Sequence, residues 1–244
     1  MAQTPTPPDD PVVEAGAALR HGTRFGIGLL RRHGWRLALV FIGLLLPMWG
    51  FGELADEIHE QEAIAFDEPL LYFARSIAGT WLDQAFLLVT RVGFAHGVIP
   101  LDILLIVVLA LRRYFREAAF AAFSLGGSGL LNIATKQLFA RERPTLWDSI
   151  APEVTYSFPS GHAMGSATLA CVLILLAWRS RWRWPVTIAM IAFTLAVGLS
   201  RVYLGVHYPS DILAGWTAAS AWTAAVFLVV FRLNRRPWQR RETA

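Results

Sequence analysis

Long apolar runs, separated by short polar stretches rich in arginine, dominate the chain from residue 37 onward. Runs that are apolar on every face of a helix are typical of membrane spans, whereas soluble helices keep one polar face. The pattern predicts an all-α bundle that crosses a membrane six times. The six predicted spans are 37–54, a run that starts at 86 or 94 and ends at 111, 118–139, 163–178, 184–202 and 212–231.

The segments outside these runs complete the predicted organisation. Residues 1–34 are polar and begin with a proline-rich stretch, which predicts a disordered tail. Residues 35–232 form the predicted six-helix membrane domain, and residues 233–244 form a basic tail. Within the domain, residues 55–81 are expected to lie along the membrane interface rather than to cross it. No cleavable signal peptide is evident, so the first apolar run is interpreted as an uncleaved span.

Composition and charge agree with a membrane protein. The chain is 55% hydrophobic and only 16% charged, which leaves too little polar surface for a soluble domain of this length. Sixteen of its 22 lysines and arginines fall before the first span, in the second-to-third and fourth-to-fifth connections, or after the sixth span. The positive-inside rule places these segments, and therefore both termini, in the cytoplasm. This distribution explains the net charge of +4 without a nucleic-acid partner.

The other six cations fall on the opposite face of the predicted bundle. They are Arg75, Arg91, Lys136, Arg141, Arg143 and Arg201. An anionic ligand is the simplest physical reason for positive charge there. Lys136 and Arg143 are seven residues apart, so they share a helix face if the third span persists to Arg143, where Pro144 would end it. Two interface cations without a ligand are the alternative interpretation.

Two further motifs lie at predicted span ends. Ser160 is placed to cap the fourth span, Gly161 permits close backbone approach, and the amides of a helix start can bind an anion beside His162. Asp211 follows His207 by four residues, so its carboxylate can reach the ring and fix the tautomer. The alternatives are an ordinary capped helix with His162 among lipid headgroups, and a purely structural pairing of His207 with Asp211.

The predicted topology brings the three motifs to one face of the bundle. The groups that could surround a tetrahedral dianion there are Lys136, Arg143, Arg201, the Ser160 hydroxyl and the Gly161 amide, with His162 and His207 beside them. Phosphoryl transfer needs neutralised equatorial oxygens, a nucleophile and a proton donor for the leaving group, and imidazoles can supply the last two. No carboxylate cluster suggests a metal, so neither a metal nor a cofactor is expected.

These motifs resemble those of the type-2 phosphatidic acid phosphatase family, whose sites are shared with vanadium haloperoxidases. The family carries K-x6-RP, PSGH and SR-x5-H-x3-D in that order. The matching positions are Lys136 to Arg143 and Pro144, then Pro159 to His162, then Ser200 and Arg201 to His207 and Asp211. Every motif position matches, and the resemblance covers about residues 83–231. Haloperoxidase activity is disfavoured, because those enzymes are largely soluble and this chain is predicted to be membrane-embedded.

The resemblance implies roles for the motif residues. His207 would be the nucleophile that forms a phosphohistidine, Asp211 would orient it, and His162 would protonate the leaving group. The implied phosphate-binding residues are Lys136, Arg143, Ser160, Gly161 and Arg201. The implied reaction is metal-independent hydrolysis of a lipid phosphate or pyrophosphate in the bacterial inner membrane, with the site facing the periplasm. Undecaprenyl pyrophosphate and a phosphatidyl phosphate are the expected substrates.

Several alternatives stay open at the level of sequence. The main activity could be that of a phosphatidylglycerophosphate phosphatase or of a lipid-pyrophosphate phosphotransferase, and a non-enzymatic lipid binder or transporter is a further class. The loop of residues 145–157, which includes Trp147, Asp148 and Glu153, could shape substrate access or simply connect two spans. Asp102, inside the second run, is expected to make a structural hydrogen bond to a neighbouring span. The glycine-rich stretch 126–129 predicts close helix packing.

Overall fold

A computed structural model of the chain describes residues 34–231 and 237–238. Over these residues the regular structure is helical, which confirms the predicted all-α class. A π-helical segment, Leu39–Leu45, precedes α1. The α-helices are α1 (Leu46–His59), α2 (Asp67–Ser76), α3 (Thr80–Val92), α4 (Val98–Leu111), α5 (Phe115–Phe139), α6 (Gly161–Ala177), α7 (Arg183–Tyr203) and α8 (Pro209–Val230). The tails predicted at 1–34 and 233–244 lie almost wholly outside the described residues.

Four helices within the described part of the chain are long and apolar enough to cross a membrane. They are Gly34–His59, Phe115–Phe139, Arg183–Tyr203 and Pro209–Val230. The other two predicted spans correspond to shorter apolar helices, Val98–Leu111 and Gly161–Ala177. A helix of α4's length extends about 21 Å at 1.5 Å per residue, less than the hydrocarbon thickness of about 30 Å. The chain is an integral membrane protein, and the six-span count remains a prediction.

The second predicted span begins later than the sequence indicates. Apolar residues predominate over positions 86–111, but the chain turns between Val92 and Val98, so α3 and α4 are separate helices. The expected starts at Phe86 and Phe94 are therefore wrong. Gly93 lies in this turn against Val197 of α7, where an added Cβ would clash with the valine methyls. The turn between α3 and α4 thus lies in close contact with α7, and a hydropathy pattern does not show such a contact.

The end of α5 agrees with the third predicted span, which also ends at residue 139. The helix ends at Phe139, and Ala140 adopts a left-handed conformation with φ of 44°. Because the helix does not persist to Arg143, the condition for a helix face shared with Lys136 is not met, and Arg143 lies on the following loop. The two side chains nevertheless contact the same residues, as described below.

Helix α6 lies in the centre of the bundle and packs against α4, α5, α7 and α8. Its first turns carry small residues, among them the buried Ala163 and Ala167. Gly215 of α8 faces this start, and a Cβ added there would lie 3.0 Å from the Ser160 carbonyl oxygen and from the Met164 amide nitrogen. The absence of a side chain at Gly215 thus allows α8 to approach the start of α6 closely.

Helix α5 is held to its neighbours by close approach and by one buried hydrogen bond. An added Cβ at Gly127 would clash with the indole of Trp222 on α8, which confirms the packing role predicted for the 126–129 stretch at this position. The Trp222 Nε1 donates to the Phe123 carbonyl oxygen at 3.1 Å. The hydroxyls of Ser128 and Thr168 are 2.7 Å apart and join α5 to α6. These contacts fix the helices whose ends carry the motif residues.

Candidate active site

Four helix ends meet at one end of the bundle: the ends of α5 and α7 and the starts of α6 and α8. The site loop, residues 140–160, joins α5 to α6 across this region. The Ser160 amide donates to the Asp211 carbonyl oxygen at 3.1 Å, so the starts of α6 and α8 are connected directly. The convergence of the three motifs that topology predicted is therefore present.

The carboxylate of Glu153, on the site loop, lies at the centre of this region. One oxygen, Oε1, accepts a hydrogen bond from Arg201 Nη2 and lies 3.7 Å from His162 Nδ1. The other, Oε2, accepts a bond of 2.7 Å from Arg143 Nη2 and lies 3.9 Å from His207 Nε2. Two guanidinium groups and two imidazoles thus face a single anion. Burial raises the pKa of Glu153, but Arg201, His207 and Arg143 outweigh it and hold that pKa below its ordinary value.

His207 is completely buried, in the turn between α7 and α8. Its Nδ1 lies 3.2 Å from Asp211 Oδ2 and 3.3 Å from the Ser157 hydroxyl, which itself donates to the same carboxylate oxygen. Nε2 faces the opposite way, toward Glu153 and Arg143. Burial lowers the pKa of His207 to about 4, although Asp211 acts to raise it. The ring is therefore neutral at neutral pH, with Nδ1–H donated to Asp211 and a lone pair on Nε2.

His162, in the first turn of α6, approaches the same carboxylate from its other oxygen. Its ring also packs against Phe94, with centroids 4.8 Å apart. The two histidines are 45 positions apart in sequence and yet face one central anion. The alternative in which His162 points only to lipid headgroups does not agree with this placement.

Asp211 is held by a network that the sequence did not reveal. Arg141 donates from Nη1 to Asp211 Oδ1 at 2.6 Å and from Nη2 to Asp67 Oδ2 at 2.8 Å. Asp67, at the start of α2, accepts from the Ser210 amide at 2.9 Å and from its hydroxyl at 2.6 Å. The Tyr208 amide donates to Asp211 Oδ2 at 2.9 Å. Each carboxylate is buried and fully paired, so the orientation of Asp211 is fixed from α2, from the site loop and from the start of α8.

The remaining predicted cations differ in their surroundings. Arg143 Nη1 lies 3.1 Å from His207 Nε2, and Arg143 Nε donates to the Thr155 carbonyl oxygen at 2.7 Å. Lys136 Nζ donates to the Thr155 hydroxyl at 3.2 Å and to the Tyr156 carbonyl oxygen, but it does not contact Glu153 directly. Arg143 and Lys136 thus engage the same stretch of the site loop.

Arg201 is almost wholly buried and is fixed by two partners. Its Nη1 donates to the Thr90 hydroxyl of α3, and its Nη2 donates to Glu153. The third nitrogen of its guanidinium, Nε, is buried and has no hydrogen-bond partner among the described residues. Thr90 is a further residue of the site that no sequence motif contains.

The PSGH residues take the helix-start positions that the sequence predicts. The Ser160 hydroxyl accepts from the Ala163 amide at 3.5 Å, the geometry of an N-cap. An added Cβ at Gly161 would lie 3.0 Å from Asn132 Oδ1, and Asn132 Nδ2 donates to the Pro159 carbonyl oxygen at 3.1 Å. Asn132 of α5 therefore supports the backbone of this motif. The Ser160 and Gly161 phosphate contacts implied by the resemblance remain predictions.

Two further residues singled out in the sequence are Asp102, which does not have the surroundings expected for it, and Arg75, for which the sequence left the role open. Asp102 lines a cavity of about 220 Å³ between α4, α5 and α6, and its buried Oδ1 has no partner among the described residues, so the expected hydrogen bond to a neighbouring helix is absent at that oxygen. Arg75 of α2 stacks over the Trp147 ring at 5.7 Å. Trp147 in turn packs against Gly205, whose φ of +69° favours glycine.

Comparison with known proteins identifies the family. A sequence model of the PAP2 superfamily matches residues 117–235. Phosphatidylglycerophosphatase B of Bacillus subtilis is 30% identical over 169 residues, which cover 67% of this chain and 83% of that protein. The chain belongs to the PAP2 superfamily. Undecaprenyl-diphosphatase of Sulfolobus acidocaldarius is 31% identical over 191 residues, which cover 76% of this chain and 85% of that protein.

A solved structure agrees with this assignment. The crystal structure of a transmembrane PAP2-type phosphatidylglycerolphosphate phosphatase from Bacillus subtilis matches with a TM-score of 0.66 and 27% sequence identity. The match covers 75% of this chain and 92% of that chain. The resemblance inferred from the three motifs is thus confirmed, and the PAP2 fold accounts for the arrangement of the helices that carry them.

Proposed function

We propose that this PAP2 protein hydrolyses a lipid phosphate or pyrophosphate through a phosphohistidine on His207. The observation that carries the proposal is the arrangement around one anion position. A neutral imidazole directs Nε2 toward it, a buried carboxylate holds the opposite ring nitrogen, and two guanidinium groups face the same position. This arrangement supports nucleophilic attack on a phosphoryl group whose charge is neutralised by the protein.

The proposed reaction has two steps. In the first, the His207 Nε2 lone pair forms a bond to phosphorus while the bond to the lipid oxygen breaks, and His162 gives its proton to that departing oxygen. A phosphate dianion between the two rings favours the protonated form of His162. In the second, neutral His162 takes a proton from water, whose oxygen attacks phosphorus and releases His207. Arg143, Arg201 and Lys136 stabilise the equatorial oxygens in both steps.

Two substrate classes have support from the comparisons. A relative and a structural neighbour are named as phosphatases of phosphatidylglycerophosphate, and another relative is named as a phosphatase of undecaprenyl diphosphate. We expect this chain to act on one of these lipids. A competition assay in detergent micelles that offers phosphatidylglycerophosphate, undecaprenyl pyrophosphate and phosphatidic acid together would rank them by kcat/KM. Labelled lipid pyrophosphate would distinguish hydrolysis from transfer to another acceptor.

The proposed setting is a bacterial inner membrane, with the site facing the periplasm. The support is the distribution of cations, since sixteen of 22 lysines and arginines lie in segments that the positive-inside rule assigns to the cytoplasm. Six spans, with the domain at 35–232 and both tails in the cytoplasm, agree with this distribution. A cysteine introduced at Asp148 should react with a membrane-impermeant reagent in intact cells, and one at Arg113 should not. The reverse pattern would refute the orientation.

The mechanism predicts that His207→Ala abolishes phosphate release, because no other group occupies the nucleophile position. Wild-type protein should release phosphate in the presence of EDTA and form an acid-labile phosphoprotein, whereas His207→Ala should do neither. His96→Ala is the matched control, since His96 is exposed in the turn between α3 and α4. Unchanged melting temperature would show that His207→Ala is folded. Full turnover in folded His207→Ala would exclude the phosphohistidine.

A further inference from the structure

The predicted phosphate site is filled by a carboxylate of the chain itself. Glu153 lies between Arg143 and Arg201 and within 4 Å of ring nitrogens of both His162 and His207. For attack, a phosphorus atom must lie about 3–3.5 Å from His207 Nε2. A phosphoryl group in that position would overlap the Glu153 carboxylate, so the two cannot be bound together.

All three cations of the predicted site are engaged by one short stretch of the site loop, residues 153–156. Arg201 binds Glu153. Arg143 binds Glu153, the Thr155 hydroxyl at 3.1 Å and the Thr155 carbonyl oxygen. Lys136 binds the Thr155 hydroxyl and the Tyr156 carbonyl oxygen. This single segment therefore provides the cations with oxygen partners that a phosphate would otherwise supply.

We propose that Glu153 is a specificity-determining residue, an internal competitor that a dianionic phosphoryl group displaces and a monoanionic phosphodiester does not. The inference rests on the proposed function, because the terminal phosphate of the lipid substrate would bind at the position that the Glu153 carboxylate leaves. Its consequence is selectivity for terminal phosphates over the phosphodiester headgroups of the surrounding membrane lipids.

The charges explain why the two ligand classes are treated differently. A phosphodiester carries one negative charge, as Glu153 does, so exchange brings no gain in Coulomb energy with Arg143 and Arg201. The carboxylate is also tethered, which gives it a high effective concentration at the site. A phosphate monoester or diphosphate terminus brings a second charge and three unsubstituted oxygens. Those oxygens have an additional donor to bind, because Arg201 Nε is buried without a partner among the described residues.

The loop around Glu153 is arranged so that the carboxylate can leave. Pro152, Val154 and Tyr156 are exposed, and the Glu153 side chain is itself 27% exposed. The loop is attached on both sides of this stretch: the Ser149 hydroxyl donates to the Leu204 carbonyl oxygen at 2.6 Å, and the Ser157 amide donates to the Arg141 carbonyl oxygen at 2.8 Å. Residues 152–156 can move outward without disturbing a buried core, because the nearest core contact on this side of the loop is made by Ala151.

The test is the binding of small anions to Glu153→Gln, which removes the charge and keeps the shape. Inorganic phosphate and dimethyl phosphate would be titrated into the purified full-length protein in detergent, and binding would be followed by calorimetry. The pH would be about 8, where phosphate is mainly a dianion. The apparent dissociation constant is the intrinsic one divided by the fraction of open sites. We expect both anions to bind Glu153→Gln about tenfold tighter or more, equivalent to about 1.4 kcal/mol. We also expect dimethyl phosphate, unlike phosphate, to bind wild-type protein undetectably.

Asp148→Asn is the matched control, because Asp148 is an exposed acid of the same loop, five positions away, with no side-chain hydrogen bond or ion pair among the described residues. It should bind both anions as the wild type does. Glu153→Asp keeps the charge but is one methylene shorter, so its affinities should be intermediate, and it serves if Glu153→Gln does not fold. Unchanged or weaker phosphate binding in Glu153→Gln would overturn the inference. Because binding is measured without turnover, a wild-type protein that hydrolyses no lipid phosphate would refute the proposed function alone.

Discussion

Arg141 should control the rate of the reaction without touching the substrate. It joins two buried carboxylates, Asp211 beside His207 and Asp67 on α2, by hydrogen bonds of 2.6 and 2.8 Å. It makes no contact with Glu153, which marks the anion position. Arg141→Ala would therefore leave the proposed phosphate-binding groups in place while releasing the carboxylate of Asp211, which contacts the proposed nucleophile, His207. Arg141→Lys would keep the positive charge but lose the planar guanidinium group, whose two terminal nitrogens bind Asp211 and Asp67 at the same time.

The size of the effect follows from burial. The Arg141 side chain is 15% exposed, and those of Asp67 and Asp211 are 4% and 0% exposed. Removing one partner of a buried ion pair costs about 3–5 kcal/mol, because the remaining charge is left unpaired. If the transition state loses one charge-assisted hydrogen bond, worth about 1.5–3 kcal/mol, kcat should fall roughly ten- to hundredfold.

Steady-state kinetics and thermal unfolding in the same detergent would measure these effects. Arg141→Ala should lower kcat with little change in KM and should lower the melting temperature, while Arg141→Lys should fall between it and the wild type. Arg91→Ala provides the comparison, since Arg91 is an exposed cation whose side chain has no hydrogen bond or ion pair among the described residues. A raised KM with unchanged kcat would show that Arg141 binds substrate instead. Wild-type stability in Arg141→Ala would refute the reasoning from burial.

Two further predictions concern packing and pH. Gly127→Ala should destabilise the protein by about 1–3 kcal/mol, because the added methyl meets the Trp222 indole; Gly126→Ala, which faces open space, should be near neutral in the same thermal-unfolding measurement. His207 has its folded-state pKa lowered from 6.5 to about 4 by burial, so the unfolded state binds more protons between these values. The free energy of unfolding should therefore decrease by about 3 kcal/mol as the pH falls from 6.5 to 4. In His207→Gln, the same free energy, measured by denaturant unfolding across this pH range, should decrease less by that amount.

The sequence predicted the parts of the site that local chemistry specifies. Ser160 caps α6 as its hydroxyl and position indicate, and Asp211 reaches His207 because four residues bring it back across a helix start. Hydropathy located the apolar helices, because membrane spans are apolar on all sides. It misplaced the start of α4, because the turn at residues 93–97 is short and lies between apolar segments, and because the tertiary contact at Gly93 is not visible in a hydropathy pattern.

The contacts that the sequence did not predict join distant segments. Asp67 and Arg141 are 74 positions apart, and nothing in either motif or spacing pairs them. Glu153 lies in an irregular loop without periodicity, so only its charge was visible. Arg141 was one of the six cations on the face that the positive-inside rule does not favour for positive charge, and this placement did indicate anionic partners. The partners turn out to be carboxylates of the chain as well as the proposed phosphate.

The hydrogen bond from the Ser160 amide to the Asp211 carbonyl oxygen has a consequence for how such a site could diversify. It connects the helix start that carries His162 to Asp211, which contacts His207, so the spacing of the proposed acid and the proposed nucleophile depends on this contact. A change in the spacing of α6 and α8 would alter the distance that phosphoryl transfer requires. Accommodation of different lipids would therefore be achieved by residues outside this constraint, chiefly the exposed stretch 152–156 of the site loop. Exchanging that stretch between relatives should alter which lipid is accepted while the proposed chemistry is retained.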